Sequence, residues 1–204
     1  MKANRLGICA VLVAVAASGC GDVVRQGTGP AFATVAVLEG ASGAEPAKFG
    51  GTMRSDVITL VKKTINQAEV RVPTVFNDIG RATVTAQMKN STVTAPTAYS
   101  AITFTRYRVT YIRADGRNTP GVDVPYGFDS AVTFTVTPGE TATAGFDLVR
   151  HVAKEEAPLV SLAANDDLIT TIAQVTFYGK DHAGNDVTAS GSIGITFGNF
   201  GDPD

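Results

Sequence analysis

The sequence predicts an all-β domain, an antiparallel sandwich of two sheets with about seven strands; a closed β-barrel is the alternative architecture for the same pattern. Three observations carry the prediction. Valine and threonine are frequent and 21 glycines punctuate them, a composition that favours pleated surfaces and turns over helices. Apolar residues recur at every second position in several short runs, the period of a strand with one buried face. Turn residues separate these runs at intervals typical of all-β folds, and no segment has a convincing helical period.

Residues 57–61 form the first apolar run of the domain. Ala82, Val84, Ala86 and Met88 then alternate with Thr83, Thr85 and Gln87, giving one buried and one polar face. Ile102 and Phe104 are apolar at even positions, whereas Tyr107, Val109 and Tyr111 are apolar at odd ones. An inserted residue produces such a change of parity, so a β-bulge is expected near Thr105 and Arg106. Val132, Phe134 and Val136 alternate next, Pro138-Gly139 turns the chain, and Ala144, Phe146 and Leu148 alternate after it. Two long alternating runs close the chain, residues 169–178 and 187–197. Folding them about "KDHAG" sets Phe177 opposite Val187, Val175 opposite Ala189 and Ile169 opposite Ile195, a self-consistent parity because opposite residues share a face.

The bulk numbers bound the partners. A length of 204 residues suits one domain plus a segment outside the fold. Counts of 17 basic and 19 acidic residues, a net charge of -2, exclude the strongly basic surface of nonspecific nucleic-acid binding. Hydrophobic content of 44% with 18% charged residues supplies a core and is too little charge for a disordered chain.

Lys2 and Arg5 precede an uncharged apolar stretch over residues 7–17, the layout of a secretory signal. That stretch is shorter than the roughly 20 residues of a spanning helix. Ala17, Ser18 and Gly19 then lead to Cys20. The segment resembles the lipobox of bacterial lipoproteins, with Ala17 where leucine is most common. The resemblance implies cleavage before Cys20, diacylglycerol on its thiol and an acyl chain on the new amino terminus, with no other cofactor. Cleavage after Ala14, Val15 and Ala16 is the competing reading. Cys9 is lost either way, so Cys20 is left without a partner for an intramolecular disulfide, and lipidation uses up the thiol. Residues 1–19 are therefore read as a leader, 20–54 as a lipidated terminus with a Gly/Pro-rich tether, and 55–204 as the sandwich. A flexible tether of that length reaches roughly 30 Å. Within it "FATVAVL", residues 32–38, is apolar enough to be a strand or a docking segment. The expected location is the cell envelope, with Gly21 directly after Cys20 favouring the outer over the inner membrane.

The last hairpin, "TFYGKDHAGNDVTASGSIGITF", is similar to the closing strands of bacterial immunoglobulin-like and fibronectin type III-like modules, where an Asp-x-x-Gly-Asn turn is frequent. The similarity implies an immunoglobulin-like sandwich. The tryptophan and cysteine pair of antibody domains are absent.

Candidate chemistry gathers at three places. Asp181, Asn185 and Asp186 offer oxygen ligands for calcium, which takes six to eight; turn chemistry explains the same residues and is the preferred reading. "HVAKEE", residues 151–156, could be read as a zinc or acid/base cluster with His182 as the second histidine, but it lacks the H-E-x-x-H spacing and is read as a solvated strand end or loop with mixed charges. Arg106, Arg108, Arg113 and Arg117 lie among Tyr107 and Tyr111, a composition that suits a glycan or protein partner. Alternation explains Arg106 and Arg108 equally well as a solvent face, and residues 113–128 read as a long loop. No G-x-S-x-G elbow occurs and no enzymatic activity is expected. The expected function is a lipid-anchored, non-enzymatic binding or structural module. The alternatives are a calcium- or carbohydrate-dependent adhesion module and an accessory subunit of an envelope complex.

Overall fold

A computed structural model of the chain describes residues 27, 29–90, 92 and 96–201. The expected leader and Cys20 lie outside these residues. The strands are β1 (Ala31–Ala41), β2 (Thr52–Asp56), β3 (Thr59–Ile65), β4 (Ala68–Thr74), β5 (Asp78–Met88), β6 (Ile102–Ile112), β7 (Phe128–Val136), β8 (Thr141–Val149), β9 (Ile169–Asp181) and β10 (Asp186–Gly198). A single helical turn, α1 (His151–Lys154), and a 3-10 segment, Leu159–Ala164, connect β8 to β9.

The strands form a three-stranded sheet, β1-β5-β8, a five-stranded sheet, β2-β10-β9-β6-β7, and a separate hairpin, β3-β4. The two larger sheets pack face to face over one core. They do not close into a single barrel. Every pairing within them is antiparallel except β2 with β10, which is parallel, a departure from the fully antiparallel expectation.

Each alternating run of the sequence is a strand, and its apolar parity is the buried one. Ala82, Val84 and Ala86 of β5 face inward, opposite Tyr107, Val109, Val175 and Ile195 of the larger sheet. The bulge in β6 falls between Phe104 and Arg106, in its pairing with both β7 and β9. Thr105 is left out of the pairing with β9, so the inward side switches from even to odd positions. Gly179 of β9 lies against this kink; a Cβ there would stand 2.3 Å from the Thr103 carbonyl oxygen.

Two expectations about strands need correction. The closing hairpin pairs Phe177 with Ala189, Val175 with Gly191 and Ile169 with Phe197, a shift of two residues from the expected register. The pairing continues out to Lys180 and Asp186, and a turn over residues 181–185 closes it, one residue later than expected. A shift of two preserves parity, so the buried faces are those expected. The tether expected over 20–54 also contains β1 and the start of β2. β1 pairs along β5 from Ala31–Met88 to Ala41–Ile79, which gives residues 32–38 a place in the smaller sheet. The folded unit therefore starts before Ser55.

The remaining addition is the β3-β4 hairpin. Asn66 and Gln67 both take positive φ, 51° and 66°, the geometry of a two-residue type I′ turn. With β1, β2 and β4, the described strands exceed the expected seven. The run at 57–61 is broken: Val57 is buried in the core, and β3 starts at Thr59.

Two tyrosines of β6 pin the sheets together. Tyr107 donates its hydroxyl to the Asp147 carbonyl at 3.1 Å, and Tyr111 donates to Leu148 at 2.7 Å, both on β8. Burial pushes the Tyr111 phenol well above its ordinary value, aided by the nearby Asp78 charge, so it stays a donor.

Candidate functional site

The 181–186 turn is built on Asp181. Its side chain is buried at the end of β9; Oδ1 accepts from the backbone N–H groups of Ala183 (3.1 Å) and Asn185 (2.8 Å), and Oδ2 accepts from Asn185 Nδ2 (2.8 Å). Gly184 supplies the positive φ, 91°, that closes the turn. Asp186 pairs instead with Lys180 across the hairpin. The Asp181 carboxylate thus accepts from three N–H donors of its own turn, as the turn reading of these residues expects.

The arginines divide into two clusters. Arg106 and Arg108 project from the solvent face of β6 and share the Asp129 carboxylate on β7, at 2.7 and 2.9 Å. Arg113 and Arg117 share Asp115 in the loop after β6, at 2.7 and 2.9 Å. The four are thus held in two pairs, each by one carboxylate. Hydrogen bonds from Arg113, then from Arg117, hold the Asp115 carboxyl well below the usual carboxylate range. A lowered folded-state value gives a contribution present above the ordinary value near 4 and lost as pH falls below it. In an NMR titration, Arg113→Ala is expected to move the Asp115 midpoint upward toward about 4, while thermal unfolding changes little through the ion pair itself because the Asp115 carboxylate is solvent-exposed. An unchanged midpoint would count against the clamp.

Arg106 and the 181–186 turn do meet. Thr103, Arg106, Tyr178, Lys180, His182 and Asp186 line a surface depression of about 390 Å³. The Arg106 guanidinium lies over the Tyr178 ring, 4.1 Å from its centroid. His182 Nε2 is 3.2 Å from Thr103 Oγ1, and the His182 backbone N–H donates to Ala101. An aromatic face, a guanidinium and hydroxyl and imidazole groups around an open hollow can hydrogen-bond and stack a polar ligand. The two histidines are far apart in role: His151 Nδ1 is held at 2.9 Å by Asn77 Oδ1, away from this hollow.

Sequence reasoning missed the cluster at the other end of β5. Lys154, read as part of a solvated segment, is buried at 3% exposure. Its Nζ donates to Asp78 Oδ1 and to the Asp56 carbonyl, both at 2.8 Å. Asp78 Oδ2 accepts from Ser55 Oγ at 2.5 Å, and Oδ1 also accepts from the Gly43 backbone N–H at 2.8 Å. Gly43 makes that approach because a Cβ there would stand 2.3 Å from the Asn77 carbonyl oxygen. Asp56 joins through its own carboxylate, which takes Thr59 Oγ1 and the Phe200 N–H. The parity of β5 held the missing signal: Asp78 and Gly80 continue the inward series of Ala82 and Val84. Nothing periodic marks Lys154.

Two sheets packed face to face over one core define the class: an all-β protein of sandwich architecture. No family model, curated protein or solved structure matches the chain.

Proposed function

We propose that the chain is a lipid-anchored cell-envelope protein whose β-sandwich is a non-enzymatic binding or structural module. The observation that carries this reading is the order Lys2, Arg5, an uncharged apolar stretch, then Ala-Ser-Gly-Cys20, with Cys20 the last cysteine of the chain. The placement of β1 supports it and shortens the tether. Residues 21–30 separate Cys20 from Ala31, and a chain of that length spans at most about 35 Å. The module is thereby held close to the surface that carries its lipid, the outer membrane in the preferred arrangement.

The strand order supports an immunoglobulin-like assignment. With β1 as strand A, β5 and β8 follow as B and E, while β6, β7, β9 and β10 follow as C, C′, F and G of the facing sheet. β2 and the β3-β4 hairpin are additions between A and B. The Arg106–Tyr178–His182 hollow favours a glycan or peptide partner at the β9-β10 end, reached through hydrogen bonds and stacking.

In a bacterial host fed an alkyne fatty acid, the full chain is expected to take up label and sediment with membranes. Cys20→Ser is expected to lose the label and move to the soluble fraction. A Cys20→Ser protein that still sediments with membranes would overturn the anchor.

A further inference from the structure

Lys154 and Asp78 differ from every other ion pair among the described residues. Their side chains are 1% and 0% exposed, whereas both partners of each other pair are at least 16% exposed. An amine and a carboxyl are thus held at 2.8 Å in the protein interior, where two full charges are costly and proximity replaces the entropy of encounter. From this contact we propose that Lys154 and Asp78 condense into an intramolecular amide, an isopeptide bond that joins the start of β5 to the end of α1, 76 residues apart.

The surrounding groups supply the steps. A proton passes from Nζ to Oδ1 along the existing hydrogen bond, leaving a neutral amine and a neutral acid. Burial favours that transfer, because it raises the Asp78 carboxyl despite the lowering effects of Lys154, Ser55 and Gly43. The Nζ lone pair attacks Asp78 Cγ, the N–C bond forms, and the carbonyl electron pair moves onto Oδ2. Ser55 Oγ, 2.5 Å away, donates to the charge developing there. The Asp56 carbonyl, 2.8 Å from Nζ, holds the nitrogen in place. The intermediate collapses with cleavage of the Cγ–Oδ1 bond; Oδ1 departs as water, carrying the first proton and a second from the nitrogen. An ammonium and a carboxylate become one amide and one water, and no oxidant or reductant is needed. The product is a neutral group where two buried charges stood, still able to accept from Ser55.

Trypsin digestion of the purified, denatured full chain tests the bond independently of how the amino terminus is processed. The expected product is a branched peptide joining residues 72–81 to residues 151–180, uncleaved after Lys154 and lighter than the two chains together by one water. Fragmentation should place the link between Asp78 and Lys154. Lys154→Arg keeps a cation but is expected to yield linear peptides alone. Recovery of linear 72–81 and 151–154 from the unmodified sequence, with no branched species, would overturn the proposal and leave an ion pair.

Discussion

Replacing Lys154 by methionine is expected to destabilise the protein by about 3–5 kcal/mol, the cost of stranding a buried charge without its partner. The substitution removes the donor to Asp78 Oδ1 and to the Asp56 carbonyl, and with it the proposed amide. Asp78 is then left with Ser55 and Gly43 as donors and no countercharge. Urea denaturation of the two proteins measures the loss; a difference below about 1 kcal/mol would show that the cluster carries little energy. The pH dependence has a definite sign. Where the amide has not formed, burial holds the Asp78 carboxyl above its ordinary value, so the native state binds more protons than the unfolded state between roughly 4 and that raised value. Stability through this group is full below the ordinary value and lost as pH rises through the raised one. Lys154→Met deepens the effect, so the variant is expected to regain stability as the pH is lowered from 7. Adding Asp78→Leu removes the stranded charge altogether, and the double variant is expected to be more stable than the single one at neutral pH.

The strands were legible in the sequence wherever burial is one-sided. β5, β6, β9 and β10 show it: their even or odd series reports which face meets the core, and the bulge at Thr105 follows from a change of parity. Register was less legible, because parity is unchanged by a two-residue shift and the Asp181 turn, closed by its own side chain, set the pairing instead. The β3-β4 hairpin escaped notice for a related reason. Lys62, Lys63, Ile65 and Val70 are all exposed, so no buried face imposes an alternation. β1 was half visible: its apolar run stood out, but the glycines around it read as tether. Of the site residues, Arg106 and the 181–186 turn were identified from residue type, yet their meeting depends on the antiparallel contact of β6 with β9. Lys154 lay beyond sequence reasoning, since a lysine in a mixed-charge segment is ordinarily solvated and its burial rests on long-range partners from β2 and β5.

Phe177→Ala is expected to cost about 3–5 kcal/mol, the range for removing a buried aromatic ring whose neighbours cannot fully close over the space. Phe177 lies on β9 in the middle of the five-stranded sheet and is fully buried. Its ring centroid is 5.4 Å from Phe146 of the opposing sheet, 5.7 Å from Phe134 and 6.1 Å from Tyr107. Its interplanar angles of 88° with Phe146 and 82° with Phe134 are edge-to-face, the arrangement the ring quadrupoles favour. The backbone around it resists collapse. Gly80, on the facing strand β5, already lies against the Phe146 ring, where a Cβ would stand 2.4 Å from it, and Tyr107 is tied to the Asp147 carbonyl. Phe146 and Tyr107 are therefore held in place by other contacts and leave a cavity when Phe177 is shortened. Phe177→Leu, which fills more of that space, is expected to lose less than the alanine variant. Tyr126→Ala, at a side chain 57% exposed in the loop before β7, is expected to change stability by less than about 0.5 kcal/mol. Equal losses for Phe177→Ala and Tyr126→Ala in urea denaturation would mean that the aromatic cluster does not hold the two sheets together.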